Sequence, residues 1–221
     1  MLTEGAKLLL MQNDGRERAS TVPRYDRLLT YARLYAIIPI RKAVRMMEEL
    51  RFSIRKIKFG WFDFTLSDAE VSASNVCGHD GPLQLLKLLA ELLSGEREEG
   101  YAVFEEEPGT YILSIKCGTQ DQLTLLYTKK NLLGWYPLTV GEHRVLTELP
   151  RNLKIEEQLL LVEDLDLYSF ACTVGDAFSA YIPKKMRDKY IGNWMAFPME
   201  ELAELRHALG DYSENLNFMT D

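Results

Sequence analysis

Asp80-Gly-Pro-Leu-Gln-Leu-Leu-Lys-Leu-Leu-Ala-Glu-Leu-Leu-Ser-Gly95 decides how the rest of the chain is read. Leu85, Leu86, Leu89, Leu92 and Leu93 recur at the spacing of a helix with one buried stripe. Asp80 stands where a side chain caps the free N–H groups of a first turn, Pro82 suits that turn, and Gly95 supplies the left-handed residue that ends helices. The spacing predicts a helix over 83–94.

Both flanks of this helix read as strands. Upstream, Phe52 to Phe59 is extended, and Trp61-Phe-Asp-Phe-Thr-Leu66 alternates Phe62, Phe64 and Leu66 with Asp63 and Thr65, the pattern of a half-buried strand. Ser67-Asp-Ala-Glu70 is the expected turn and Val71 to Val76 the returning strand. Downstream, Tyr101–Glu106 is a strand, and Glu107-Pro-Gly-Thr110 puts Pro and Gly where a type II turn wants them. Tyr111, Leu113, Ile115 and Cys117 alternate with polar positions, and Leu123, Leu125 and Tyr127 continue the meander. Residues 129–155 read as loop with one strand, and Gln158–Val162 as a short apolar strand.

Helices return near the end. Leu167, Phe170, Ala171, Val174, Phe178 and Tyr181 predict a helix over 165–182, capped by Asp164 or Asp166 and ended at Pro183. Leu202, Leu205 and Leu209 predict a last helix over 198–209, with Gly210 as its stop. Short antiparallel strands beside separated helices give an α+β fold, an antiparallel sheet with helices packed on one face, rather than a doubly wound sheet.

The N-terminal part is of another kind. Residues 1–60 carry 13 Lys and Arg against 6 Asp and Glu, while residues 61–221 carry 13 against 27, so a segment of about +7 precedes a body of about −14. Within the basic part, Leu28, Leu29, Ala32 and Tyr35 have helical spacing up to Pro39, and a second short helix fits 41–50. The chain therefore divides into a basic helical extension, 1–46, and a single α+β domain, 47–221. Met46 and Met47 stand just before the body, so two readings remain open: 1–46 is a functional arm, or it is an upstream extension of the reading frame. Arg24, Arg27, Arg33, Arg41, Lys42 and Arg45 are interleaved with Tyr25, Tyr31 and Tyr35, a pattern that contacts phosphates and stacks on bases. The same side chains suit an acidic protein or an anionic lipid surface. The simpler reading is a solvated helix face paired with the acidic body.

The 221 residues are 47% hydrophobic, enough for a packed core. Three cysteines, Cys77, Cys117 and Cys172, without a secretory signal fit a reducing cytoplasm. The apolar run Leu34–Ile40 is far short of the ~20 residues of a membrane span. The expectation is a soluble, non-secreted cytoplasmic protein.

Motifs for catalysis are weak. Gly95-Glu-Arg-Glu-Glu-Gly100 has phosphate-loop glycines, but Tyr101 replaces the required Lys and three carboxylates repel phosphate. There is no Gly-x-Ser-x-Gly elbow. Cys77-Gly-His79 offers two metal ligands without the second close pair that zinc sites show, and Cys117 and His143 would join only through the fold. No metal or cofactor is expected, and no catalytic residue is assigned. Asp63, Asp80 and Glu107 remain the carboxylates that a fold could assemble into an unrecognised active site.

The order Gly60-Trp-Phe-Asp-Phe-Thr-Leu66, Leu-rich helix closed by Gly95, Phe104-Glu-Glu-Glu-Pro-Gly109, Tyr190-Ile-Gly-Asn-Trp194 and Phe197-Pro-Met-Glu-Glu-Leu202 resembles the small α+β immunity proteins found beside bacterial polymorphic toxins. The resemblance is one of layout, over roughly 50–210. It implies a non-catalytic protein that binds and blocks a cognate toxin. An acidic inhibitor of a basic, nucleic-acid-directed toxin gains steered association. Glu96, Glu98, Glu99, Glu105, Glu106 and Glu107 form the expected partner-binding rim, adjacent if the strand after Gly100 folds back beside the helix end. The rival readings are a nucleic-acid-associated regulator using the basic arm and an enzyme of unrecognised type.

Overall fold

The computed structural model describes residues 50–76, 78–132 and 145–219, with side chains described as far as Gly210. The basic extension with Arg24, Arg27, Arg33, Arg41, Lys42 and Arg45, the boundary at 46/47, Cys77 and His143 lie outside the described residues. Strands β1 (Phe52–Lys58), β2 (Trp61–Leu66) and β3 (Ala69–Ser74) form an antiparallel meander. Helix α1 (Gly81–Leu93) follows. Strands β4 (Glu99–Glu105), β5 (Thr110–Lys116), β6 (Gln122–Thr128) and β7 (Glu157–Glu163) form a second antiparallel sheet in that order. Helices α2 (Leu167–Ser179), α3 (Lys184–Ile191) and α4 (Met199–Met219) close the described chain. The fold is an α+β mix, and the single sheet of the sequence reading is in fact two. Both turn apolar faces to one helix-filled core. Rings rather than ladder hydrogen bonds join them, Phe64 lying 4.8 Å from Phe104 between centroids.

α1 is built as its sequence predicts. Asp80 Oδ1 accepts the Leu83 N–H at 3.1 Å, and Gly95 takes a left-handed φ of 74° just past the end. Leu85, Leu86, Leu88 and Leu89 are fully buried. They share one cluster with Phe62, Phe64 and Leu66 of the first sheet, Phe104, Leu113 and Leu125 of the second, and Phe170, Val174 and Phe178 of α2. Phe178 stacks at 6.1 Å on Phe62 and at 6.2 Å on Phe52, holding α2 against the first sheet. The outer face of the second sheet has its own small core of Val103, Ile112, Leu132 and Leu146. Ile112 thus breaks the expected apolar/polar alternation of β5, because the chain after β6 covers this face too.

Four local readings are corrected. The β2–β3 turn is only Ser67-Asp68, since Leu66 and Ala69 already pair. The β4–β5 turn is not type II: Gly109 lacks the positive φ that type requires, and the Glu107–Pro108 bond is cis. α3 has no counterpart in the sequence reading, because Tyr190 alone of its residues is buried and no apolar stripe marks it. α4 runs through Gly210 rather than stopping there, at the ~1 kcal/mol cost a helical glycine carries.

Candidate partner-binding surface

Strand register determines which acidic side chains meet. Glu99 pairs with Lys116, Lys116 with Gln122, and Gln122 with Glu163, so one row crosses the end of the four-stranded sheet. At ~4.8 Å per strand spacing this row spans about 15 Å. Glu96, Glu98 and Glu99 are exposed at one side of it, and Glu163, Asp164 and Asp166 at the other. Between them the β5–β6 turn is tied down by Gly118 N–H donating to Asp121 Oδ1 at 2.9 Å. Gln120 Nε2 donates to Asp164 Oδ1 at 3.0 Å, linking that turn to the end of β7. Asp166 doubles as the α2 cap, accepting from Ser169 N–H at 2.9 Å.

The other half of the expected rim lies elsewhere. Glu99 and Glu105 are the two ends of β4, about 20 Å apart at strand rise, so the chain after Gly100 leads the second cluster away from the first. Glu107 is exposed and Glu106 half-buried at that far end. Glu105 is only 3% exposed and belongs to no rim. Its Oε1 accepts the Leu132 N–H at 3.2 Å, and its Oε2 stands 2.8 Å from Thr110 Oγ1. Burial pushes its carboxyl up to about 7, against the downward pull of those two hydrogen bonds. Glu105, Thr110 and Thr128 face one another in register and hold the segments at both sides of the outer core: Thr110 reaches the Lys130 carbonyl and Thr128 the Lys154 carbonyl, each at 2.8 Å.

The acidic row has an electrostatic cost. It begins just past the C-terminal end of α1, where the helix dipole disfavours anions, and the last turn of α1 contains no basic residue. Arg97, in the midst of the glutamates, turns back to Glu91, Nε to Oε2 at 2.7 Å. Glu96, Glu98 and Glu99 thus gain nothing from the helix they follow, whereas Asp166 caps α2 and Asp164 holds the β5–β6 turn.

The three carboxylates considered for catalysis sit on three different elements. Asp63, half-buried on the outer face of β2, accepts the Ser72 hydroxyl. Asp80 is buried, committed to the α1 cap and to Trp194 Nε1 at 3.2 Å, a contact the sequence did not reveal. Glu107 is in the β4–β5 turn. Among the described residues no three His, Cys, Asp or Glu side chains are grouped to hold a metal ion. Cys117 is a poor nucleophile, its thiol raised to about 11 by burial and then by Asp121. No helix among the described residues is long and apolar enough to cross a membrane. Comparison with protein-family models, curated proteins and solved structures finds no match to this chain.

Proposed function

We propose that this protein is a non-catalytic binding protein of the toxin-immunity type, which works in the cytoplasm and blocks a basic protein partner with the acidic end of its second sheet. The observation that carries this reading is the gathering of Glu96, Glu98, Glu99, Glu163, Asp164 and Asp166 at one end of that sheet. Within each of the two groups the exposed carboxylates repel one another, and Glu96, Glu98 and Glu99 also oppose the α1 dipole. That cost is recovered when a cationic surface covers them. Complementary charge of this density speeds encounter with a basic partner and discriminates against others. Occlusion requires no chemistry from the inhibitor, which suits the role that the resemblance in layout to immunity proteins implies.

The test first captures the partner from the native host by affinity pull-down and then uses that purified partner as the probe. Glu96→Lys, Glu98→Lys and Glu99→Lys together lower its association rate by about ten- to a hundredfold at low salt, and the wild-type rate falls steeply with added salt. The same variant stays folded, because cations suit the α1 C-terminus and the like-charge pair that the substitution at 99 makes across from Lys116 costs under about 1 kcal/mol. Unchanged binding by the correctly folded variant sinks the reading.

A further inference from the structure

The tip of the first hairpin carries a second surface of opposite character. Phe59 and Gly60 form a two-residue turn between Lys58 and Trp61, with left-handed φ values of 55° and 81°. Such turns favour Asn-Gly, and a bulky residue in the first position is strained. The Phe59 ring is nevertheless 79% exposed. A residue that strains its turn and buries little of itself does not serve the fold, and strain of this kind points to function.

The turn is held rigid. Gly60 N–H donates to the Asn193 carbonyl at 2.8 Å, and Phe59 N–H to Asn193 Oδ1 at 3.3 Å. Asn75 N–H donates to the Gly60 carbonyl at 2.9 Å, and Asn75 Nδ2 to the Trp194 carbonyl at 2.9 Å. These bonds bring three more apolar side chains round the tip: Val76, 70% exposed, Ile191, 51%, and Trp61, 37%. The charges beside them are mostly positive. Lys58 Nζ lies 4.4 Å over the Phe59 ring, Arg55 and Lys56 precede it on β1, and α3 adds four cations against the single carboxylate Asp188. Asp63, two residues beyond Trp61, is held by Ser72.

We propose that this tip docks on an anionic lipid surface, holding the protein at a bilayer without spanning it. The exposed Phe59 ring stands in a hairpin turn with exposed Trp61, Val76 and Ile191 close to it in the chain or through the bonds above, and a headgroup boundary accepts such side chains without a preformed pocket. Phe and Trp with aliphatic neighbours and surrounding Lys and Arg are the composition that inserts there. Val76 and Ile191 offer nothing to a nucleobase. The net charge of −7 works against docking at long range, and salt screens it over the distance between the acidic row and the tip. The tip joins the body beside Asp80, at the start of α1, and the acidic row follows the end of α1. The thirteen residues of α1 place the two about 20 Å apart, more than two Debye lengths at physiological salt. The surface is therefore distinct from the acidic one, and this inference does not rest on the immunity reading.

Full-length protein is sedimented with phosphatidylcholine vesicles, with and without phosphatidylserine. The wild type partitions into the anionic vesicles and not the neutral ones. Phe59→Asn lowers that partitioning at least about tenfold while raising the melting temperature, because it removes the inserted ring and suits the turn. Lys58→Gln lowers it about fivefold. Equal partitioning into both vesicle types overturns the proposal. So does an unchanged partition with Phe59→Asn, which assigns any binding to the basic extension. Binding of polyglutamate without vesicle binding overturns it in favour of an acidic protein partner.

Discussion

Thr110 Oγ1 stands 2.8 Å from Glu105 Oε2 and 2.8 Å from the Lys130 carbonyl, but a hydroxyl has one hydrogen to give. With Glu105 ionised, one of the two acceptors goes without. With Glu105 neutral, its own O–H donates to Thr110 and Thr110 donates to Lys130, so every group is satisfied. The raised carboxyl, about 7, agrees with this arrangement. The sign of the pH dependence follows. Between about 4.5 and about 7 the folded protein holds a proton that the unfolded chain has released, so stability falls as pH rises through that window and is level above it. The loss is on the order of 2–3 kcal/mol. Glu105→Gln places an amide donor toward Thr110 and a carbonyl toward Leu132. The expected outcome is that its urea midpoint no longer falls between pH ~5 and ~8, while that of the wild type does. In the sequence Glu105 looks like its neighbours Glu106 and Glu107. Only strand parity, together with a cover supplied by Leu132, separates the buried carboxyl from the exposed ones.

Among the elements, α1 depends on how closely its first turn approaches β4. A Cβ at Gly81 would lie 2.4 Å from the Val103 carbonyl oxygen and 2.6 Å from the Phe104 ring, and backbone cannot step aside. Gly81→Ala is expected to cost about 1–3 kcal/mol, read as a lowered melting temperature. Gly118→Ala, with open space around it, serves as the neutral comparison. α1, β2 and α2 were legible because each buries a full stripe or face, which writes a period of 3.6 or 2 into the sequence. α3 was not, since Tyr190 is its one buried residue. The extent of α4 was misjudged because a lone glycine is a weaker stop than tertiary packing is a support. The Phe-Gly turn was missed, Phe59 being read as the end of an extended strand, although two residues between two alternating strands occupy the Asn-Gly slot and phenylalanine misfits it.

At the scale of the molecule, one buried cluster includes side chains from both sheets and all four helices. The body formed by residues 50–210 should therefore lose both sheets together. Unfolding in urea followed by Trp194 burial and by backbone dichroism is expected to give coincident transitions, and two separated ones would show that the sheets are independent units. The acidic row was only half legible. Glu96, Glu98 and Glu99 stand out as a run, but their sharing one sheet end with Glu163 and Asp164 depends on β6 pairing with β7 across 28 intervening residues, and no local pattern announces a long-range pairing. With carboxylates past one end of α1 and cations with aromatic rings at the other, the body has a permanent electric dipole moment along that helix. Any charged surface exerts a torque on it before contact. Under the two proposals above, that torque turns the tip of the body toward an anionic layer and its acidic end toward a cationic protein before either is touched.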